Sequence, residues 1–249
     1  MKRTPEEQAR WLSRLPSHRL AFEDVEFLHR EELRPVRLQL ELLKPELLQQ
    51  EQGIVSTIVV FGSARTHPGG NGSHYYEEAR RFAQMVSEHC QARGIRKFVI
   101  TTGGGPGIME AANRGAHDAG AKSIGLNIEI PHEQVPNPYI TPDLCFSFHY
   151  FALRKMHFLL RAKALVIFPG GFGTLDELFD ALTLIQTGKM ERMPVVLVGR
   201  EYWSKVLNFE YMVQHGTISP EDLDIIDRVD TAEEAWQVIC DAYSDELGS

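Results

Sequence analysis

Cysteine is scarce in this chain. Cys90, Cys145 and Cys240 lie far apart among 249 residues and form no C-x-x-C pair, which excludes a disulfide framework and a cysteine-based zinc site. No run approaches the roughly 18 consecutive apolar residues of a membrane span, and the opening Met-Lys-Arg-Thr-Pro-Glu-Glu-Gln leads into no apolar signal core. A cytoplasmic protein that touches no membrane is the expectation. Basic residues are in deficit: 26 Lys plus Arg stand against 34 Asp plus Glu, a net charge of −8. A duplex-binding surface needs the opposite balance, so no nucleic-acid polymer is expected as a partner. A local basic pocket for one small anion stays open. At 43% hydrophobic and 24% charged residues, the composition excludes disordered, collagen-like and coiled-coil classes.

The familiar chemical motifs are missing as well. A dinucleotide fingerprint fails, because Ile108 stands three residues after Gly105 and Asp176 three after Gly173. The only Gly-Lys pair, Gly188-Lys189, is followed by Met190, so there is no Walker loop. His67, His74, His89, His117, His132, His149 and His157 form no H-E-x-x-H or comparable pairing, and no metal is expected. No serine sits in a G-x-S-x-G elbow. Neither NAD binding, ATP hydrolysis nor a hydrolase triad is supported.

What is present falls into two textures. Residues 1–52 contain no glycine and are dense in Leu, Glu, Arg and Gln, with Leu38, Leu40, Leu42, Leu43, Leu47 and Leu48 in helical spacing. They read as a helical arm broken near Pro35 and Pro45, able to cover the main domain or a second subunit. From Gly53 to the end, residues 53–249, short apolar runs alternate with amphipathic stretches. Strands are expected at 54–61, 97–101, 123–128, 164–168 and 195–198. Helices are expected at 75–93, from the Gly103–Gly107 loop to about 119, and at 150–161, 174–186, 202–213 and 231–243. Alternation at this spacing implies βαβ units. The near-continuous apolar strands suit a parallel sheet covered on both faces. The expected fold is therefore α/β, a Rossmann-like doubly wound parallel sheet with helices on both faces, plus the amino-terminal arm.

Ligands of such sheets bind beyond the carboxyl ends of the strands. Three loops qualify: Gly62 to Gly72, Gly103 to Gly107, and Pro169 to Thr174. Glycines let the backbone approach a ligand, and the next helix offers free N–H groups and partial positive charge. The plainer reading makes these glycines tight turns only; two such loops on one edge favour a phosphate-bearing ligand. In Pro169-Gly-Gly-Phe-Gly-Thr-Leu-Asp-Glu177, Thr174 and Glu177 have the spacing of a capping box, a purely structural role. The other reading sets Glu177 one turn from an anion-binding loop, where a carboxylate suits a cationic transition state. On a helix, Arg154 has Phe151 at i−3 and Phe158 at i+4. A guanidinium in an aromatic stripe needs an anionic partner or a path to solvent, while surface placement of Arg154 and Lys155 is the simpler alternative.

Thr102 to Ala116 (TGGGPGIMEAANRGA) and Pro169 to Glu177 (PGGFGTLDE), with Arg154-Lys155 between them, resemble the LONELY GUY family, whose members are cytokinin riboside 5′-monophosphate phosphoribohydrolases often misnamed lysine decarboxylases. The resemblance runs from about Ile54 to Val213, and the flanking segments look like the longer bacterial branch. It implies hydrolysis of the N-glycosidic bond of a purine or cytokinin nucleoside 5′-monophosphate such as AMP, giving free base and ribose 5-phosphate, with no cofactor. By resemblance, Glu177 stabilises the oxocarbenium-like state and orients water, and Arg154 binds the nucleotide and supports departure of the base. Gly170, Gly171, Phe172, Gly173 and Thr174 surround the phosphate, Gly103, Gly104 and Gly105 complete the cradle, and Lys155, Glu133 and Thr183 line the nucleotide. A homodimer or higher homo-oligomer is expected. The competing reading is a non-catalytic nucleotide or molybdenum-cofactor carrier of the same fold, which needs no Glu177 chemistry. A pyridoxal-phosphate decarboxylase lacks a Schiff-base context in so short a chain, and a purely structural oligomer leaves Arg154 and Glu177 without a shared task.

Overall fold

The computed structural model describes residues 3–91, 96–130 and 135–247. The chain divides into two compact units, residues 1–44 and 45–249. The first contains α1 (Pro5–Leu12), α2 (Val25–Leu28) and most of α3 (Arg34–Glu51). Thr4 and Glu7 cap α1 reciprocally, and the Arg37 guanidinium donates to the Leu28 and Arg30 carbonyls at 2.8 and 2.6 Å.

Pro35 lies in the first turn of α3, where its missing N–H is harmless. Pro45, expected to break the helix, does not: α3 runs through it to Glu51. Proline inside a helix costs about 3 kcal/mol. Here the ring is buried, and the next residue, Glu46, accepts from Arg161 Nη2 at 2.8 Å, which anchors the turn beyond the lost bond.

The second unit is built on a parallel sheet: β1 (Thr57–Phe61), β2 (Val99–Thr102), β3 (Ser123–Ile128), β4 (Cys145–Phe148), β5 (Ala162–Ile167), β6 (Val195–Val198) and β7 (Ile226–Val229). Their order is β4-β3-β2-β1-β5-β6-β7, every pair parallel. β1 and β6 are buried along their whole length, which gave the sequence its apolar runs. β4 and β7, absent from the sequence reading, are the two edges. Each is four residues long and partly exposed, so neither makes an uninterrupted apolar run. The helix expected over 202–213 is two, α8 (Arg200–Val206) and α9 (Phe209–Gln214). Asn208 separates them because its side chain accepts from Tyr211 N–H and starts the second.

Helices cover both faces for a topological reason. β1 to β3 progress in one direction through α4 (Ser73–Gln91) and α5 (Ile108–Asp118), while β5 to β6 progress in the other through α7 (Phe172–Gln186). Right-handed crossovers then put α7 on the opposite face from α4 and α5. Ile58, Val60, Ile100, Val166 and Val196 pack with α4, α5 and α10 (Ala232–Ala242). On the other face, Phe158 of α6 (Phe151–Leu159) meets the Phe61 ring at 4.8 Å. The reversal of strand order lies between β1 and β5, and a ligand is expected at their carboxyl ends.

Candidate active site

At that switch point the loops after β1 and β5 are tied together. Phe168 N–H donates to Phe61 O at 2.9 Å and Ser63 N–H to Pro169 O at 3.0 Å. Above them opens a cavity of about 1020 Å³. It is lined by Gly103 of the second glycine loop, by Arg154 of α6, and by Gly170, Gly171, Phe172, Gly173, Thr174 and Glu177 at the start of α7. Residues more than 70 positions apart in sequence are thus brought to one place by three strand ends and one helix.

α7 begins at Phe172, with Gly171 as its cap and no side chain bonded to its first N–H groups. Its amino end is therefore open to an anion. Adding a Cβ at Gly171 or Gly173 would meet nothing within 4 Å, whereas at Gly170 it would lie 2.1 Å from Thr174 Oγ1. The first two glycines leave the turn uncovered, and the third makes room for the hydroxyl. Because the helix starts two residues before Thr174, Thr174 and Glu177 are not a capping box. Each lies inside the helix, and Glu177 stands a further turn along it. Thr174 is buried, and its hydroxyl has no hydrogen-bond partner among the described residues.

Glu177 and Arg154 form the charged centre of the cavity. The Arg154 Nη1 to Glu177 Oε1 distance is 3.8 Å, with side chains only 13% and 10% exposed. Arg154 Nε donates to the Leu126 carbonyl at 2.7 Å, which fixes the guanidinium over the Phe158 ring, 5.0 Å from its centroid. The aromatic neighbour and the anionic partner inferred from the helix pattern are both present. Burial lowers the Arg154 pKa, and Glu177 partly opposes this. Burial pushes Glu177 up to about 7, against the pull of Arg154 and Lys155. Its carboxylate receives no hydrogen bond among the described residues, so both oxygens are available to a ligand.

Gly103 supplies the space for this arrangement, since a Cβ there would come within 2.6 Å of Arg154 Nη2 and 2.8 Å of Met109 Sδ. Gly104 and Gly105 do not line the cavity; they are the buried anchor of their loop. Gly104 has φ +74°, a conformation natural to glycine, and its N–H donates to Thr102 Oγ1 at 3.0 Å. Asn137 Nδ2 donates to the Gly104 and Gly105 carbonyls at 3.2 and 3.1 Å and to Asn113 Oδ1 at 2.9 Å. Thr102 donates to the same Asn113 oxygen at 2.6 Å.

Lys155 and Thr183 lie apart from Arg154, in a neighbouring groove with Phe179 and Asp180. Lys155 Nζ donates to Asp176 Oδ1 at 2.7 Å, and the Thr183 hydroxyl donates back to the Phe179 carbonyl at 2.6 Å. Glu133 falls outside the described residues. The cavity also has a wall that sequence reasoning did not assign residue by residue: Ser63, Arg65, Thr66, Asn71 and Tyr75 after β1, and Tyr202 of α8. The β1 loop carries a strand-end glycine signal but no motif. Tyr202, whose hydroxyl donates to Gly170 O at 2.7 Å, gives no signal in sequence at all.

Comparison with known proteins gives the family of the chain. The chain matches, over residues 109–239, a family profile described as "Possible lysine decarboxylase". It is 32% identical over 170 residues to "Cytokinin riboside 5'-monophosphate phosphoribohydrolase LOG7" of Arabidopsis thaliana, covering 66% of this chain and 73% of that one. It is 29% identical over 197 residues to "Probable cytokinin riboside 5'-monophosphate phosphoribohydrolase LOGL3" of Oryza sativa subsp. japonica, covering 74% and 83%. Among solved structures, the molybdenum cofactor binding protein of Rippkaea orientalis superimposes with a TM-score of 0.54 at 20% identity, over 75% of this chain and 96% of that one. That likeness is one of fold. The chain belongs to the LONELY GUY family, the family of phosphoribohydrolases that carries the lysine decarboxylase description.

Proposed function

We propose that the protein hydrolyses the N-glycosidic bond of purine nucleoside 5′-monophosphates, releasing free base and ribose 5-phosphate. The observation that carries this reading is the buried Arg154–Glu177 pair at 3.8 Å, one turn inside a helix whose uncapped amino end opens into the same cavity. The helix end, with Gly171, Gly173 and Thr174, holds the 5′-phosphate. Cleavage then develops positive charge on the ribose. The ionised Glu177, held in a site with little solvent, stabilises that charge and orients the attacking water. Arg154 binds the nucleotide and its positive charge stabilises the negative charge that the departing base acquires. Its fixed bond to Leu126 keeps the guanidinium in place, so little reorganisation accompanies the reaction.

Lys155 and Thr183 act from the neighbouring groove, Lys155 by drawing Glu177 toward its ionised form. The protein works as a homodimer or higher oligomer through the α6 surface, where Phe151, Met156 and Leu160 are exposed. A monomeric mass by light scattering would remove that part. The carrier alternative draws on fold likeness alone and gives the unbonded carboxylate of Glu177 no task. Incubation with AMP and chromatography of the products decides: adenine and ribose 5-phosphate are expected, and intact AMP would favour the carrier.

A further inference from the structure

The turn that leads into α7 is held at three successive carbonyls. Ser63 N–H donates to Pro169 O at 3.0 Å, the Tyr202 hydroxyl to Gly170 O at 2.7 Å, and Leu175 N–H to Gly171 O at 3.0 Å. The first donor belongs to the loop after β1 and the third to α7 itself. The second is a side chain, and it reaches the turn from α8, beyond β6. A peptide unit is planar and trans, so a carbonyl and the N–H of the next residue point in opposite directions. The bond to Gly170 O therefore also sets the direction of Gly171 N–H, which has no hydrogen-bond partner among the described residues.

This peptide depends on an outside hold. It joins two glycines, and a Cβ at Gly171 would meet nothing within 4 Å, so no side chain resists its rotation. Gly171 sits at φ −90°, and reversing the peptide would carry φ to positive values, which glycine adopts as readily as negative ones. Reversal would put a carbonyl oxygen where the N–H had been and present a repelling dipole to an anion. Tyr202 is itself fixed. Its ring meets that of Trp203 edge-on at 5.1 Å, and the buried Trp203 donates through Nε1 to Val198 O at 3.0 Å. Gly199 N–H donates to Val229 O at 2.7 Å and Arg200 N–H to Asp230 Oδ1 at 2.8 Å, which fastens α8 to the ends of β6 and β7.

We propose that Tyr202 is a positioning residue: by holding the Gly170 carbonyl it keeps Gly171 N–H directed at the 5′-phosphate. The inference rests on the nucleotide reading, which places that phosphate at the amino end of α7. Tyr202 acts through the peptide, and its effect is confined to ligands that carry the phosphate.

The test is calorimetric titration with AMP and with adenosine of the Glu177→Gln protein, which stops turnover, and of the same protein carrying Tyr202→Phe. The second change removes one oxygen and keeps the ring against Trp203. AMP is expected to weaken about tenfold, the size of a lost hydrogen bond to a charged group, while adenosine stays within about twofold. A role in folding or in shaping the cavity wall would move both ligands alike. A second measurement needs no change at Tyr202: by nuclear magnetic resonance of the isotope-labelled Glu177→Gln protein, the Gly171 amide proton is expected to move downfield with AMP and not with adenosine. If Tyr202→Phe leaves AMP affinity unchanged, if AMP and adenosine weaken together, or if the Gly171 amide gives no phosphate-dependent shift, the positioning role is overturned. Adenine release from AMP by the parent protein is read separately, and its failure would remove the hydrolase reading while leaving the binding test intact.

Discussion

Replacing Glu177 with Gln should make the protein more stable while stopping its chemistry. Burial raises the Glu177 pKa from 4.5 to about 7 even with Arg154 nearby, so in the folded state the ionised carboxylate is penalised relative to the unfolded chain. The sign is that of an acid with a raised pKa. Below about pH 4.5 both states are protonated and no penalty exists; it grows as pH rises, and it is complete above pH 7. At roughly 1.4 kcal/mol per pKa unit, the shift amounts to about 3 kcal/mol at pH 8. Glutamine resembles the protonated acid in shape and charge and leaves the Arg154 bond to the Leu126 carbonyl and its contact with the Phe158 ring untouched. Urea denaturation of parent and Glu177→Gln proteins at pH 8 and pH 4.5 measures the difference. The variant is expected to gain about 2–3 kcal/mol at pH 8 and almost nothing at pH 4.5. Equal stability of the two proteins at pH 8 would refute the buried-charge reasoning.

Other consequences concern activity. If the ionised Glu177 is the working form, kcat/KM for AMP should rise with pH through about 7 and level off above it; a flat profile from about pH 5.5 to 8.5 contradicts that assignment. Gly103→Ala would bring a methyl group within 2.6 Å of Arg154 Nη2, and the displaced guanidinium should lower kcat about 100-fold, a misplacement effect; steady-state kinetics near the parent rate would show that Arg154 need not be held there. Adenosine, which lacks the group anchored at α7, should react far more slowly than AMP because remote binding energy positions the glycosidic bond; equal kcat/KM for the two would remove the phosphate site.

The sheet was legible because its inner strands are buried on both faces and therefore read as apolar runs, as in Ile54 to Phe61. Cys145–Phe148 and Ile226–Val229 were not, because an edge strand alternates or mixes its burial and resembles a loop. The helix through Pro45 was misread because burial of the ring and the Glu46–Arg161 pair are tertiary facts. At the site, Arg154 and Glu177 could be singled out from the aromatic spacing and the glycine turn, and of the two readings of the Thr174–Glu177 spacing the capping box is the one that fails. Gly171, with no side chain, starts the helix earlier than the Thr-x-x-Glu pattern suggests. Lys155 turned out to face Asp176 rather than the main cavity. The Asn113–Asn137 network and the Tyr202 brace on Gly170 join residues distant in sequence, and no local pattern announces them.

The proposed glycosidic cleavage depends above all on the charge of Glu177. The most direct measurement is the rate of adenine release from saturating AMP at pH 8 by the parent and by Glu177→Gln, with AMP binding to both verified by titration. The variant is expected to bind AMP as the parent does and to release adenine on the order of a hundredfold or more slowly, the usual cost of losing a preorganised electrostatic partner. A Glu177→Gln protein that releases adenine at the parent rate would contradict it.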